Sequence, residues 1–134
     1  MPIVTDSSVI LGLAYVDEQA DYAQQVLDAI VVQGAIVPTL FWFEVRNALL
    51  TGERRGRITT DQTSAFLDDL GQLRFEVDSD PRDRDVLDFA RAHQLTVYDA
   101  SYLELAHRRR APLATVDRAI IRAAKAIGVV VWNG

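Results

Sequence analysis

Short apolar runs alternate along the chain with longer stretches in which apolar positions recur every three or four residues. That alternation predicts strands interleaved with helices, hence an α/β layer structure around a largely parallel sheet. The first strand is expected at Ile3-Val4-Thr5, ending at Asp6, followed by a short helix from Ser7 to Tyr15. A longer helix from Glu18 to Val32 places Tyr22, Val26, Ala29 and Ile30 on one face, and Gly34 closes it. Ala35-Ile36-Val37-Pro38 reads as a strand, and a helix capped by Thr39 runs to about Leu50. The glycines and arginines of Thr51 to Arg57 predict a loop, Thr60 to Leu70 a helix, and Phe75-Glu76-Val77 a strand. Ser79-Asp80-Pro81-Arg82-Asp83 reads as a helix start, with a cap residue, proline in the first turn and acids nearby, and that helix reaches His93. Thr96-Val97-Tyr98 and Leu113-Ala114-Thr115-Val116 are expected as strands ending in Asp99 and Asp117, each opening a helix. Those helices run to Arg109 and Ile127; Gly128 ends the second, and Val129-Val130-Val131-Trp132 forms the last strand.

No repeat or linker interrupts this pattern, and 134 residues fit one domain, residues 1–134. A chain of this size buries roughly two-thirds of its unfolded surface and needs no disulfide or structural metal. The absence of cysteine excludes disulfide scaffolds, zinc–cysteine modules, iron–sulfur centres and a cysteine nucleophile. Two histidines, His93 and His107, are too few for a histidine-rich zinc site. The opening residues carry no basic segment, and the apolar run from Val9 to Val16 is too short to cross a bilayer. A soluble, cytoplasmic protein with no membrane association is therefore expected.

The net charge of −5 argues against nucleic-acid binding through overall charge. Yet all but one of the 14 cations are arginine, clustered at Arg54, Arg55 and Arg57 and at Arg108, Arg109 and Arg110. Arginine forks suit phosphate. Both runs are equally compatible with solvated helix ends, where cations are favoured.

Three acids share one kind of position: Asp6, Asp99 and Asp117 each stand between an expected strand and a helix. The C-terminal ends of parallel strands share a rim, where ligands bind near the topological switch point. Helix N-capping explains each aspartate singly but not why all three fall at the rim. Glu44 adds a fourth carboxylate, flanked on its helix by Leu40, Phe41, Asn47 and Ala48. A carboxylate on so apolar a stripe is paired, bound to a metal, or set at the edge of the stripe. Four converging carboxylates repel one another by several kcal/mol per close pair at an effective dielectric of about 20. Protons or a bound cation relieve that repulsion, and oxygen donors select a hard ion such as Mg²⁺, with Mn²⁺ a substitute. Ser8 and Thr115 lie two residues from Asp6 and Asp117. They are placed either to satisfy backbone groups at helix starts or to orient a carboxylate.

Four segments, Val4-Thr5-Asp6-Ser7-Ser8-Val9, Glu44-Val45-Arg46-Asn47-Ala48-Leu49, Tyr98-Asp99-Ala100-Ser101-Tyr102-Leu103-Glu104-Leu105-Ala106 and Leu113-Ala114-Thr115-Val116-Asp117, resemble PIN-domain ribonucleases. They are most similar to the small VapC-type toxins of toxin–antitoxin pairs. The resemblance covers essentially the whole chain; each segment is short, and their order and spacing make the signal. It implies a three-layer PIN-like α/β fold with a mainly parallel central sheet flanked by helices. It also implies that Asp6, Glu44, Asp99 and Asp117 form a catalytic, metal-binding acidic quartet, with Ser8, Asn47 and Thr115 as polar neighbours. The implied activity is Mg²⁺-dependent endoribonuclease cleavage of RNA, and the implied partners are a cognate antitoxin protein and a second copy of the chain in a homodimer. Ser7-Ser8 departs mildly from the Thr-Ser or Ala-Ser of many members.

On that basis Arg54, Arg55, Arg57, Arg108, Arg109 and Arg110 are candidate RNA contacts. His93 and His107 match no site position. Phe41, Trp42 and Phe43 are consecutive on one helix and cannot all be core, so at least one is expected at a protein interface or against a base. A phospho-receiver-like signalling domain also has this length and an acidic Mg²⁺ site. It requires paired acids after the first strand and a lysine after a late one, whereas Asp6 stands alone and Lys125 lies within the last helix. A phosphatase with an aspartate nucleophile needs a second acid where Ser8 stands. A PIN domain that binds RNA or a partner without cleaving is the remaining alternative.

Overall fold

The computed structural model describes residues 1–15 and 20–134. Four strands, β1 (Ile3–Thr5), β2 (Ala35–Pro38), β3 (Phe75–Asp78) and β4 (Leu113–Ala114), form one sheet in the order β3-β2-β1-β4, every pair parallel. Seven helices flank it among the described residues: α1 (Ser7–Leu11), α2 (Ala20–Gln33), α3 (Leu40–Arg54), α4 (Thr60–Gly71), α5 (Asp83–His93), α6 (Val97–Arg109) and α7 (Arg118–Ile127). The expected start of the second helix at Glu18 lies outside the described residues. The inner strands β1 and β2 are buried along their whole length, as near-continuous apolar runs in a covered parallel sheet should be. Val4, Ile36, Phe41, Leu49, Leu103 and Leu113 join them in a single core. Each such side chain contributes about 1.5–3 kcal/mol through burial.

The topology positions the site. From β1 the chain builds outward through β2 to β3, then crosses back and adds β4 on the other side of β1. The switch point therefore lies between the C-terminal ends of β1 and β4. Thr5 is in register with Ala114, which sets Asp6 beside Thr115.

Five local expectations need correction. Thr96-Val97-Tyr98 is not a strand: the Thr96 hydroxyl accepts the Asp99 N–H at 3.1 Å, and α6 starts at Val97. The cap outweighs the strand preference of two side chains that stay exposed, Val97 and Tyr98. Thr39 has helical backbone angles and makes no side-chain cap. Thr51 to Arg54, expected as loop, continues α3. Gly52 is buried there against the Tyr15 ring, so packing overrides its poor helix propensity, and the turn falls at Gly56 with φ of +71°. Pro81 precedes α5 rather than entering its first turn; the Arg82 N–H that opens this helix donates to Glu104, 22 positions along the chain, at 3.2 Å. Val129 to Trp132 contributes one parallel bridge, Leu113 to Val131, because the two-residue β4 offers little ladder to extend.

Candidate acidic site at the sheet rim

Asp6 is 5% exposed and sits at the N-cap of α1. Its Oδ1 accepts from the Ser8 hydroxyl at 2.7 Å and the Val9 N–H at 3.1 Å, and its Oδ2 accepts from the Thr115 hydroxyl at 2.5 Å. A carboxylate has about four acceptor positions, so these donors leave Oδ2 room for a further ligand. Burial pushes the Asp6 carboxyl above the ordinary aspartate range, reinforced by the charge of Asp117 and opposed by the Thr115, Ser8 and Val9 hydrogen bonds. Thr115 also accepts the Asp117 N–H at 3.1 Å, and Asp117 caps α7 through the Ile120 N–H at 3.0 Å. One buried hydroxyl thus ties the ends of β1 and β4 together.

Glu44 lies one turn into α3, half-buried, and its Oε1 accepts from the Ser7 hydroxyl at 3.1 Å and the Tyr102 hydroxyl at 2.5 Å. Burial and the neighbouring Glu44 charge hold Tyr102 protonated far above the usual phenol range, so it remains a donor. Asp99, in the first turn of α6, is also half-buried. Its carboxyl is raised first by burial and then by the charges of Asp117, Asp6 and Glu44, in that order. Asp99 therefore lies within reach of the charges of the other three acids, and Asp6 within reach of Asp117. Asp99 reaches the rim from within a helix rather than from a strand end. Ser7 and Tyr102 had no role in the sequence-based site; Tyr102 stands three residues after Asp99, a spacing that shares a helix face and could have flagged it.

The remaining candidates divide. Asn47 is exposed, and its side chain makes no hydrogen bond among the described residues. Arg108 is not a free phosphate contact: it forks onto Asp78 with two bonds of 2.9 Å and reaches Glu104 at 2.7 Å. Arg109 bonds Glu76 and Asp78, both at 2.9 Å. Arg110 is exposed in a left-handed conformation at the end of α6. Arg54 ends α3, whereas Arg55 and Arg57 line a groove of about 330 Å³ that also includes Ser8. His107 meets Phe89 edge-on and His93 ends α5, both as helix residues outside the acidic site. Of the aromatic triplet, Phe41 is core and Trp42 packs against Phe41 and Phe75, while Phe43 is 69% exposed.

Among the described residues, no three acidic or histidine side chains form a ready-made metal cage. The donor set still suits Mg²⁺, which is commonly held by one or two carboxylates and keeps several waters. Asp6 and Asp99, both lifted first by burial and further by neighbouring negative charge, are the groups a cation would relieve.

A parallel α/β sheet with an acid cluster at its switch point defines the class of protein, and comparison with known sequences gives the family. The sequence model for the PIN domain matches residues 3–126, and the chain belongs to the PIN-domain family. It is 31% identical over 121 residues to Ribonuclease VapC3 of Pyrobaculum aerophilum, covering 88% of this chain and 91% of that protein. Its fold is similar to the crystal structure of PAE2754 from the same organism, with a TM-score of 0.72 and 28% identity over 92% of this chain and 84% of the other. It also matches FitAcB from Neisseria gonorrhoeae in fold, at a TM-score of 0.68 and 16% identity over 98% and 96% of the two chains. Membership of this family sets aside the phospho-receiver-like alternative. No described helix is long and apolar enough to cross a membrane.

Proposed function

We propose that this protein is a Mg²⁺-dependent endoribonuclease, the toxin of a toxin–antitoxin pair, acting in the cytoplasm as a single PIN domain. The observation that carries the proposal is the junction of Asp6, Thr115 and Asp117 at the switch point, with Asp99 raised there by burial and then by the charges of Asp117, Asp6 and Glu44. The name of the relative at 31% identity, a ribonuclease, supports the choice of RNA as substrate.

In this proposal Asp6 and Asp99 hold Mg²⁺, or Mn²⁺ in its place, with Glu44 and Asp117 contributing directly or through water. The ion supplies positive charge against the phosphoryl oxygens and a more acidic water for hydrolysis. Thr115 and Ser8 fix the Asp6 carboxylate, and Thr115 holds the Asp117 backbone in the same arrangement. Tyr102 and Ser7 both donate to one oxygen of Glu44 and leave the other available to the site. Asn47, on the exposed side of α3, is a polar contact for the incoming strand. The homodimer and the antitoxin are assigned to exposed apolar side chains; Phe43 and Leu50 share a face of α3 at a seven-residue spacing.

The test is cleavage of a broad RNA pool by purified protein with Mg²⁺, with Mn²⁺ and with chelator, the Asp99→Asn protein serving as control for contaminating nuclease. Metal-dependent cutting lost in the variant supports the proposal. Equal cutting by both proteins refutes the assignment of Asp99. A folded protein that binds RNA and never cuts it would be the non-cleaving PIN domain instead.

A further inference from the structure

The groove between α1 and α3 begins at the acid cluster and leads away from it. It is lined by Ser8, Leu11, Tyr15, Ala48, Arg55 and Arg57 among others, and Ser8 at its near end donates directly to Asp6. Along α3, Glu44, Ala48, Gly52 and Arg55 succeed one another at spacings of three or four residues, so they follow one helix face. The rise from Glu44 to Arg55 is about 16 Å, long enough for more than one nucleotide.

The far end of the groove is built. The Tyr15 hydroxyl donates to the Ala48 carbonyl at 3.2 Å. A Cβ at position 52 would collide with that hydroxyl, so glycine is what admits the ring. The Arg57 guanidinium lies over the Tyr15 ring at 4.3 Å, which fixes its plane and leaves its edge N–H groups without a hydrogen bond to any described residue. Neither Arg55 nor Arg57 forms an ion pair with a described acid, in contrast to Arg108 and Arg109. In a chain of net charge −5, a polyanion needs local cations beside the acids, and this groove supplies them.

We propose that this groove carries the single-stranded RNA segment adjoining the scissile phosphate, with Arg55 and Arg57 each contacting one backbone phosphate. The proposal rests on the ribonuclease reading above. It assigns the substrate path to the α1–α3 side and away from the arginines at the end of α6. Continuity with the acid cluster favours a nucleic acid over an acidic peptide, because one strand can present a phosphate to Asp6 and Asp99 while its neighbours lie along the groove.

The experiment measures binding of a fluorescent single-stranded RNA of mixed sequence by anisotropy, in chelator, across a salt series. The parent protein, Arg55→Gln, Arg57→Gln, the double variant and Arg91→Gln are compared, each checked for an unchanged melting temperature. Arg91 is an exposed control on α5, paired among the described residues only with Asp88. Each groove substitution is expected to reduce the steepness of log K against log salt by about 0.7, and the pair by about twice that. Arg91→Gln should leave the slope unchanged. A double variant with the parental slope overturns the groove assignment, as does an acidic peptide that binds the groove without competing with RNA. Cleavage in Mg²⁺ by the same parent preparation separates the two failures. A parent that cuts RNA while the slope ignores Arg55 and Arg57 refutes the path alone, whereas a parent that neither binds nor cuts refutes the ribonuclease reading with it.

Discussion

At the scale of single residues, the site is organised by hydroxyls that hold carboxylates. Thr115 has the most to do, since it donates to Asp6 and accepts from the Asp117 N–H while almost fully buried. Thr115→Val keeps the shape and removes both bonds, leaving a buried carboxylate oxygen and a backbone N–H short of partners. Unsatisfied buried groups cost about 1–3 kcal/mol each. The variant is expected to lose stability in urea unfolding by an amount in that range and to lose cleavage as Asp6 reorients. Asp99→Asn should act in the opposite sense on the fold. Removing a charge repelled by Asp117, Asp6 and Glu44 is expected to raise the melting temperature in metal-free buffer while abolishing cleavage. A lower melting temperature would mean that the four acids are not under mutual repulsion.

At the scale of elements, most of the chain could be read in advance, and the misreadings share a cause. Ile3-Val4-Thr5 and Ala35 to Pro38 were legible as strands because both are continuous apolar runs bounded by turn signals. Gly34 and Gly128 were legible as helix ends, and both take positive φ. Thr96-Val97-Tyr98 was not, because two β-favouring residues outweigh a threonine cap in any local count, and only the exposure of their side chains shows that no sheet receives them. The continuation of α3 through Gly52 depends on Tyr15, remote in sequence. The proposed acid quartet rests on position and resemblance, whereas the Glu44–Tyr102 bond spans 58 positions and its one local hint is the three-residue spacing of Tyr102 from Asp99. These elements also carry the site, so capping becomes functional. Thr96→Ala removes the N-cap of the helix that bears both Asp99 and Tyr102. A loss of about 1 kcal/mol in stability is expected, together with a fall in cleavage rate at saturating metal as the first turn of α6 frays. A stability loss with an unchanged rate would show that the start of α6 need not be rigid for the site to work.

At the scale of the whole molecule, the acids fall into two groups with opposite electrostatics. At the rim Asp6 and Asp99 are raised, first by burial, whereas Asp78 at the end of β3 is held well below the usual carboxylate range, first by its hydrogen bonds from Arg108 and with help from Arg109 and the Asp80 N–H. Glu104, almost fully buried, completes this ion cluster and links α6 to the start of α5 through the Arg82 N–H. The cluster takes up Arg108 and Arg109 as structural ties between β3, α5 and α6. Breaking a buried ion pair from one side costs about 3 kcal/mol or more, and because Arg108 keeps Glu104 the lower figure applies to Asp78→Asn. The pH dependence has a definite sign. With its pKa depressed on folding, Asp78 binds fewer protons in the native state than in the unfolded chain, where its pKa is about 3.9. Its contribution is therefore complete at neutral pH and declines as pH falls below about 4. Urea midpoints of the parent and Asp78→Asn should differ by a constant amount from pH 7 to pH 5 and then converge as the pH is lowered further. Because the pair is mostly buried, that difference should also survive 0.5 M salt largely unscreened, a concentration at which the Debye length is only about 4–5 Å. A difference that vanished in salt, or that held constant down to pH 2, would remove Asp78 as the tie between these elements and return Arg108 to the arginines available for phosphate.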